Sequence, residues 1–441
     1  MRRLLVVMIQ PPGCSGVQAL IYNKLLPFYE RHGWEIHFAG PAPWLTSVLT
    51  EQLDYPAERL HYTSNVSSSV CFSVRKNRQR KGSLAYVAYG VLQLLARLLE
   101  QLRRHDSDSH LLKGLAQSVR EAEQRCTFDL IAGKSPDFKV LALAHDLSQE
   151  MGKPLLALID DPYGARDEQG FYPKSPELQQ KILRDSRATF FMSSLTRERY
   201  VEAGLLARNK AHVISDSYPV IAELYVQGRS PLAGRSRRMA PTESLQLIYL
   251  GMLPEWRPIE PFLEAFRAFA QPQHSLHPRG QLAIYGFVYA SARRRIASDP
   301  RLAERIQLHP LVSYAASHAL AEDADVQLVV IGPRHLDNVP SKFFEYLAHH
   351  KPMLILGPPQ NPLRDILNEL KIGLYVDGRH AEAIVDALES LQTHYSTYQQ
   401  AYTDQAAALE AFSAPRVAER FCHLLDQALT GRENSSQGVV I

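Results

Sequence analysis

Twice along the chain, short uninterrupted apolar runs alternate with stretches whose apolar residues recur at helical spacing, and few folds accept that pattern. Residues 4–9 form the first run. Pro11, Pro12 and Gly13 break it, residues 17–31 follow with helical spacing, His32 and Gly33 stop the helix, and residues 34–38 form the next run. A run with no polar alternation is a strand buried on both faces, so these elements make one βαβ unit of a parallel sheet. The alternation returns with strands expected at 128–132, 155–159, 189–192 and 211–214 and a helix at 138–151. A stretch at 228–236, rich in small, proline and basic residues, reads as a linker or exposed loop. Beyond it, strands are expected at 246–250, 282–285, 326–331, 353–356 and 373–376, separated by helices at 259–270, 313–321, 341–349, 363–370 and 381–391. The expected architecture is α/β, two Rossmann-like domains facing across a cleft, with ligands at the carboxyl ends of the strands. The boundaries are 1–220 and 235–400, with 401–441 returning to the first domain and ending in a tail.

Composition narrows the function classes. Lys and Arg total 49 against 46 Asp and Glu, a net charge of +3, so no global field points to nucleic acid. The four cysteines, Cys14, Cys71, Cys126 and Cys422, are far apart with no CxxC, which argues against a disulfide framework or a thiolate zinc site and for a reducing, cytoplasmic setting. The first apolar run is too short for a signal-peptide core, and no run of 18 apolar residues occurs. One segment departs from the alternation. Within an insertion at about 62–125, five Lys or Arg fall between Arg75 and Lys81, an apolar-rich helix is expected at 84–102, and Arg103 and Arg104 follow. Such a segment, 75–104, suits an anionic membrane surface or, equally, a solvated loop before a core helix.

Several positions invite chemistry. The loop containing Gly13 and Gly16 before the first helix would let a backbone approach a phosphate, though it lacks the third glycine of a dinucleotide fingerprint and is also simply a tight turn. Asp160 and Asp161 end a strand, where they orient hydroxyls or cap a turn. In the second block Pro340 and Ser341 sit at a helix start and Glu345 lies about one turn in. That places a carboxylate for the vicinal hydroxyls of a ribose, or for a near capping box. The histidines do not cluster at ligand spacing, and His349 and His350 at a helix end read as partners of its dipole.

The stretch from Asn338 through Pro352, reading NVPSKFFEYLAHHKP, and Tyr249-Leu250-Gly251-Met252-Leu253 followed by Arg257, resemble the family 4 type of glycosyltransferases with the GT-B fold. The resemblance covers most of the chain outside roughly residues 60–125. It implies a retaining transfer of sugar from a nucleotide-diphosphate donor to a sugar or lipid-linked acceptor, with no separate cofactor and no metal. It also implies roles: Glu345 on the donor ribose, Asp337 near the donor sugar with a side chain shorter than the usual Glu, and Gly16 and Gly251 under the diphosphate. Met252 stands where the family has an arginine and Arg257 where it has a lysine, so one diphosphate cation is missing unless Arg334 or Lys342 supplies it. Asp216-Ser217 replaces the family's Asn-Gly turn. Asp160 occupies the place where many relatives have a histidine near the reacting sugar. The catalytic set expected on this basis is Arg257, Asp337, Lys342 and Asp160, and the donor-binding set is Gly16, Gly251, Arg334, Ser341 and Glu345. A scaffold that has lost catalysis and, further off, a nucleotide-sugar epimerase remain as alternatives.

Overall fold

The structure, a computed structural model, describes residues 1–12, 17–42, 55–63, 76, 82–102, 107–135, 138–166, 171–220, 244–270, 280–333, 335–337 and 339–431, with only the backbone of 100–102, 107 and 108. Gly13, Gly16, Arg334, Asn338, the basic residues of 75–81 other than Lys76, and Arg103 and Arg104 therefore lie outside the described residues.

Two parallel sheets carry the fold. In the first, β1 (Arg2–Val7), β2 (Trp34–Pro41), β3 (Leu60–Thr63), β4 (Leu130–Lys134), β5 (Leu155–Ile159), β8 (Ala188–Phe191) and β9 (Ala211–Val213) run in the order β3-β2-β1-β4-β5-β8-β9. A short antiparallel hairpin, β6 (Gly164–Arg166) with β7 (Phe171–Pro173), lies outside it. The second sheet has the order β12-β11-β10-β13-β14-β15, from β10 (Leu245–Leu250), β11 (Gly280–Tyr285), β12 (Ile306–His309), β13 (Val326–Val330), β14 (Met353–Gly357) and β15 (Gly373–Asp377). Both orders reverse direction beside the first strand of their block, which is where open α/β sheets bind ligands. The strands β4, β5, β13 and β14 are buried along their whole length and β1 from Leu4 on, which explains why apolar runs alone located them. Two edge strands were not expected. β12 alternates Ile306 and Leu308 with Gln307 and His309 over only four residues, and β3 is as short, so neither carries a signal above that of a loop.

Each sheet has its own buried cores. Leu4, Val6, Phe38, Leu130 and Leu156 pack beneath the helix Val17–Tyr29 in the first, and Leu247, Phe262, Phe266, Ile284 and Leu354 are central in the second. The helices Tyr395–Asp404 and Ala406–Glu410 stay on the second half through Ala401, Tyr402 and Leu409. The return expected from 401 onward is made instead by the helix Ala414–Thr430, whose Val417, Phe421 and Leu425 complete the first core. Its Asp426 accepts from Trp34 Nε1 at 2.7 Å and pairs with Arg2. Among the described residues no helix is long and apolar enough to cross a membrane.

Candidate active site

Because both sheets are parallel, the loops that follow the strands of each gather along one edge, and contacts between the halves come from those loops and the helices that follow them. Ser193 caps the helix Ser194–Glu202 and also donates its hydroxyl to the carbonyl of Asp337 at 2.8 Å. Thr196 Oγ1 donates to Asp337 Oδ2 at 3.1 Å. Asp337 is thus buried against the first half, where it fixes the approach of the 332–340 loop.

A larger charge network lies beside it. Lys24 sits on the buried face of the helix Val17–Tyr29, with Ile21, Leu25 and Phe28. Its ammonium donates to Ser217 O at 2.7 Å and Glu345 Oε1 at 2.5 Å and pairs with Asp216 Oδ1 at 2.9 Å. The other oxygen of Glu345 accepts from Tyr314 OH at 2.6 Å and lies 3.1 Å from His318 Nε2. Glu345 therefore does not cap its own helix; both oxygens are aimed away from it. Burial raises the Glu345 carboxyl, but Lys24 and His318 outweigh it and hold the group at about 2. Burial pulls Lys24 down, and the two carboxylates more than offset this, leaving it above the ordinary lysine value. Asp216 goes the other way, raised by burial against the pull of Lys24. His318 Nδ1 lies 2.9 Å from His349 Nε2, and burial drives His349 down to about 3. At this helix end, where the two histidines were expected to partner the helix dipole, His349 joins His318 in a buried relay and His350 stacks on Tyr402.

The carboxyl end of β10 holds the opposite arrangement, two cations that form no ion pair among the described residues. Gly251 turns there with φ +106°, in the region that favours glycine, and donates its N–H to Tyr285 O at 2.8 Å. A methyl at Gly251 would lie 3.5 Å from Lys342 Nζ. That ammonium is sealed from solvent, has no hydrogen-bond partner, and sits 3.7 Å from the centre of the Tyr249 ring. Arg257 lies in the same loop, with its guanidinium 4.5 Å from the Trp256 ring and its Nε unpartnered. Burial first, and Arg257 second, push Lys342 well below the ordinary lysine value. A buried ammonium without a hydrogen bond is costly, and an anion bound between the two cations would relieve that cost. Met252, where the resemblance implies a cation, points outward and is 62% exposed.

Asp160, at the end of β5, accepts from Lys134 Nζ at 2.6 Å and from Gln18 Nε2 at 3.2 Å. Burial pulls the Lys134 ammonium down, but Asp160, Tyr22 and Asp216 together leave it raised; burial also raises Asp160 against the pull of Lys134, and the contact with Lys134 holds Asp160 in place. Ser341 opens the helix Ser341–Leu347, one residue from Lys342. The structure thus brings Gly251, Arg257 and Lys342 together, places Glu345 in the Lys24 network, and sets Asp337 against Thr196 and Asp160 against Lys134. Lys24, Lys134, Tyr314 and His318 escaped the sequence reading. The available signal was a misfit: a lysine at position 24 falls on the apolar stripe of its helix, where a charge needs a partner. One metal-like trio also escaped it. His37, His61 and Cys126 have ligand atoms within 4.8 Å of one another, but His37 Nδ1 and His61 Nε2 are bonded to each other at 3.0 Å and His37 Nε2 to Glu35 at 2.7 Å. The ring nitrogens that face one another already form a relay.

No family profile and no curated protein matches the chain. Solved structures do. The chain is similar to sucrose-phosphate synthase from Thermosynechococcus elongatus, with a TM-score of 0.65 and 14% identity over 98% of this chain and 100% of that one. It is similar to the Anabaena protein HepE in complex with UDP and glucose, with a TM-score of 0.62 and 14% identity over 97% and 100%. A putative UDP-N-acetylglucosamine 2-epimerase from Listeria monocytogenes matches with a TM-score of 0.59 and 10% identity over 99% of both chains. At such identities the likeness is one of fold, the two facing Rossmann-like halves of the GT-B class.

Proposed function

We propose that the chain is a glycosyltransferase of the retaining, family 4 type, which moves a sugar from a nucleoside-diphosphate donor to an acceptor hydroxyl. The observation that carries this reading is the unpartnered Lys342 ammonium beside Arg257 over the Gly251 turn. Two cations side by side, the Lys342 ammonium sealed from water, match a diphosphate, whose charge grows as the bond to the anomeric carbon breaks. Lys342 takes the place of the cation that Met252 lacks, which weakens the inactive-scaffold alternative. Glu345 keeps acceptor capacity for a ribose hydroxyl beside its bonds to Lys24 and Tyr314. In the step, the bond from the anomeric carbon to the diphosphate oxygen breaks, the acceptor oxygen bonds that carbon on the same face, and its proton passes to the departing phosphate. Only the donor is needed as a small molecule. HepE was solved with UDP and glucose, which makes UDP-sugars the first donors to try. The acceptor is a sugar or lipid-linked hydroxyl, and the setting is assembly of a bacterial surface polysaccharide or glycolipid at the cytoplasmic side of the membrane.

The test is a panel of nucleotide sugars incubated with the purified protein, with slow donor hydrolysis as the readout. Arg257→Ala is expected to lower turnover by roughly 10²-fold. Glu345→Gln is expected to weaken nucleotide binding by about 10-fold or more, as one charge-assisted bond is lost. Wild-type behaviour in both variants would reject the site. Free nucleotide with a rearranged sugar, formed without acceptor, would favour the epimerase reading that the Listeria structure suggests, and no turnover of any donor would favour the scaffold.

A further inference from the structure

We propose that the helix Leu84–Leu102 is an interfacial anchor that lies flat in the headgroup region of an anionic lipid bilayer. Tyr86, Tyr89, Gln93 and Ala96, spaced three and four apart, form its covered or half-covered stripe. The apolar face points away from the protein: Leu84, Val87, Val91, Leu94, Leu95 and Leu98 are 48–91% exposed. A helix that leaves its larger apolar face in water has its partner missing.

Charge selects the partner. In sequence the helix is bracketed by the basic run Arg75, Lys76, Arg78, Arg80 and Lys81 and by Arg103-Arg104, while its one acidic residue is Glu100. Of these basic residues Lys76 is described, and its Nζ lies 5.0 Å from the centre of the Tyr86 ring, alongside the helix start. A second copy of the chain would set like charges together in either orientation, run against run when parallel and run against Arg103-Arg104 when antiparallel. Anionic headgroups reverse that sign at both ends. The 19 residues span about 28 Å along the axis, but the helix is not apolar enough to cross, so it lies on the surface. The inference stands apart from the sugar-transfer reading.

The full-length protein is sedimented with vesicles of equimolar phosphatidylglycerol and phosphatidylcholine, and with vesicles of phosphatidylcholine alone, across a salt series. Binding to the anionic vesicles is expected to weaken by about 10-fold or more as salt shortens the Debye length from ~30 Å to ~8 Å, and not to vanish. Replacing the five basic residues of 75–81 with Gln is expected to remove most of the salt-dependent part, Arg103-Arg104 keeping the rest. The triple variant Val91→Glu, Leu95→Glu, Leu98→Glu is expected to remove the residual part, with donor turnover in solution unchanged in both variants. Wild-type protein that ignores anionic vesicles at low salt overturns the proposal. So does a triple variant that binds like the wild type, or a wild-type dimer in the ultracentrifuge that this variant abolishes.

Discussion

Lys342→Met is expected to give a protein that melts higher than the wild type and scarcely turns over donor. The substitution removes a sealed ammonium that has no hydrogen bond and faces a second cation, and keeps an apolar stem over the Tyr249 ring. Relief of an unsatisfied buried group is worth about 1–3 kcal/mol, and the second half should melt roughly 2–4 °C higher per kcal/mol. Turnover should fall by about 10²–10³-fold, because one of the two cations on the leaving diphosphate is gone. The pH dependence carries a sign. Since the folded value of Lys342 lies well below that of the unfolded chain, the unfolded state holds the proton to higher pH. Wild-type stability without nucleotide therefore climbs as pH rises through that window, and the variant lacks the climb. A bound diphosphate restores the partner and lifts the value, so at pH between the free and the bound values nucleotide binding should take up a proton. Calorimetry in buffers of different ionisation enthalpy reads this uptake, which should vanish in Lys342→Met. A variant no more stable than the wild type, or one with full turnover, would refute the assignment.

Lys24→Met is expected to be strongly destabilising. It leaves Asp216 and Glu345 near each other with no cation between them, a loss of about 3–5 kcal/mol. In the wild type, Glu345 is held at about 2 against an ordinary value of 4.5, so its share of stability is present above 4.5 and is lost as pH falls toward 2. Without Lys24 both carboxyls rise, and a raised acid stabilises at low pH and loses that contribution as pH climbs. The variant should accordingly be more stable in mildly acidic than in neutral buffer, the reverse of the Glu345 contribution in the wild type. Adding Asp216→Asn should recover part of the loss. Urea titrations at the two pH values decide the matter, and a Lys24→Met protein as stable as the wild type in neutral buffer would show that the network carries no weight.

What the amino-acid order disclosed follows from how local each signal is. Gly251, Arg257, Lys342 and Glu345 lie in two short segments, one at a strand end and one in a helix, so a resemblance carried by contiguous residues could single them out. The Lys24 link joins residues 321 positions apart and was not. No local pattern encodes which loop of one sheet meets which helix of the other; only the misplacement of a lysine among Ile21, Leu25 and Phe28 hinted at a buried counter-ion. The same limit explains Asp337, whose spacing to Glu345 is visible in sequence while its bond to Thr196 is not. It explains the edge strands too, since β3 and β12 are exposed on one side and too short for period-two alternation to register.

The closing helix Ala414–Thr430 has a consequence for synthesis. The first half emerges from the ribosome with strands, turns and a hydrophobic face over Tyr22, Leu25 and Tyr29, but the residues that cover this face, among them Val417, Phe421 and Leu425, come roughly 200 residues later. At ~5–20 residues per second that is a wait of about 10–40 s, during which the second half can finish its own core while the first remains unsealed. The late helix then re-enters through a crossing pinned by Tyr218, which donates its N–H to Phe412 O at 2.9 Å and accepts from Ala414 N at 3.1 Å. A chain cut before Ala414 would release a nascent protein whose first half keeps that greasy groove open, the kind of surface that chaperones hold and proteases find.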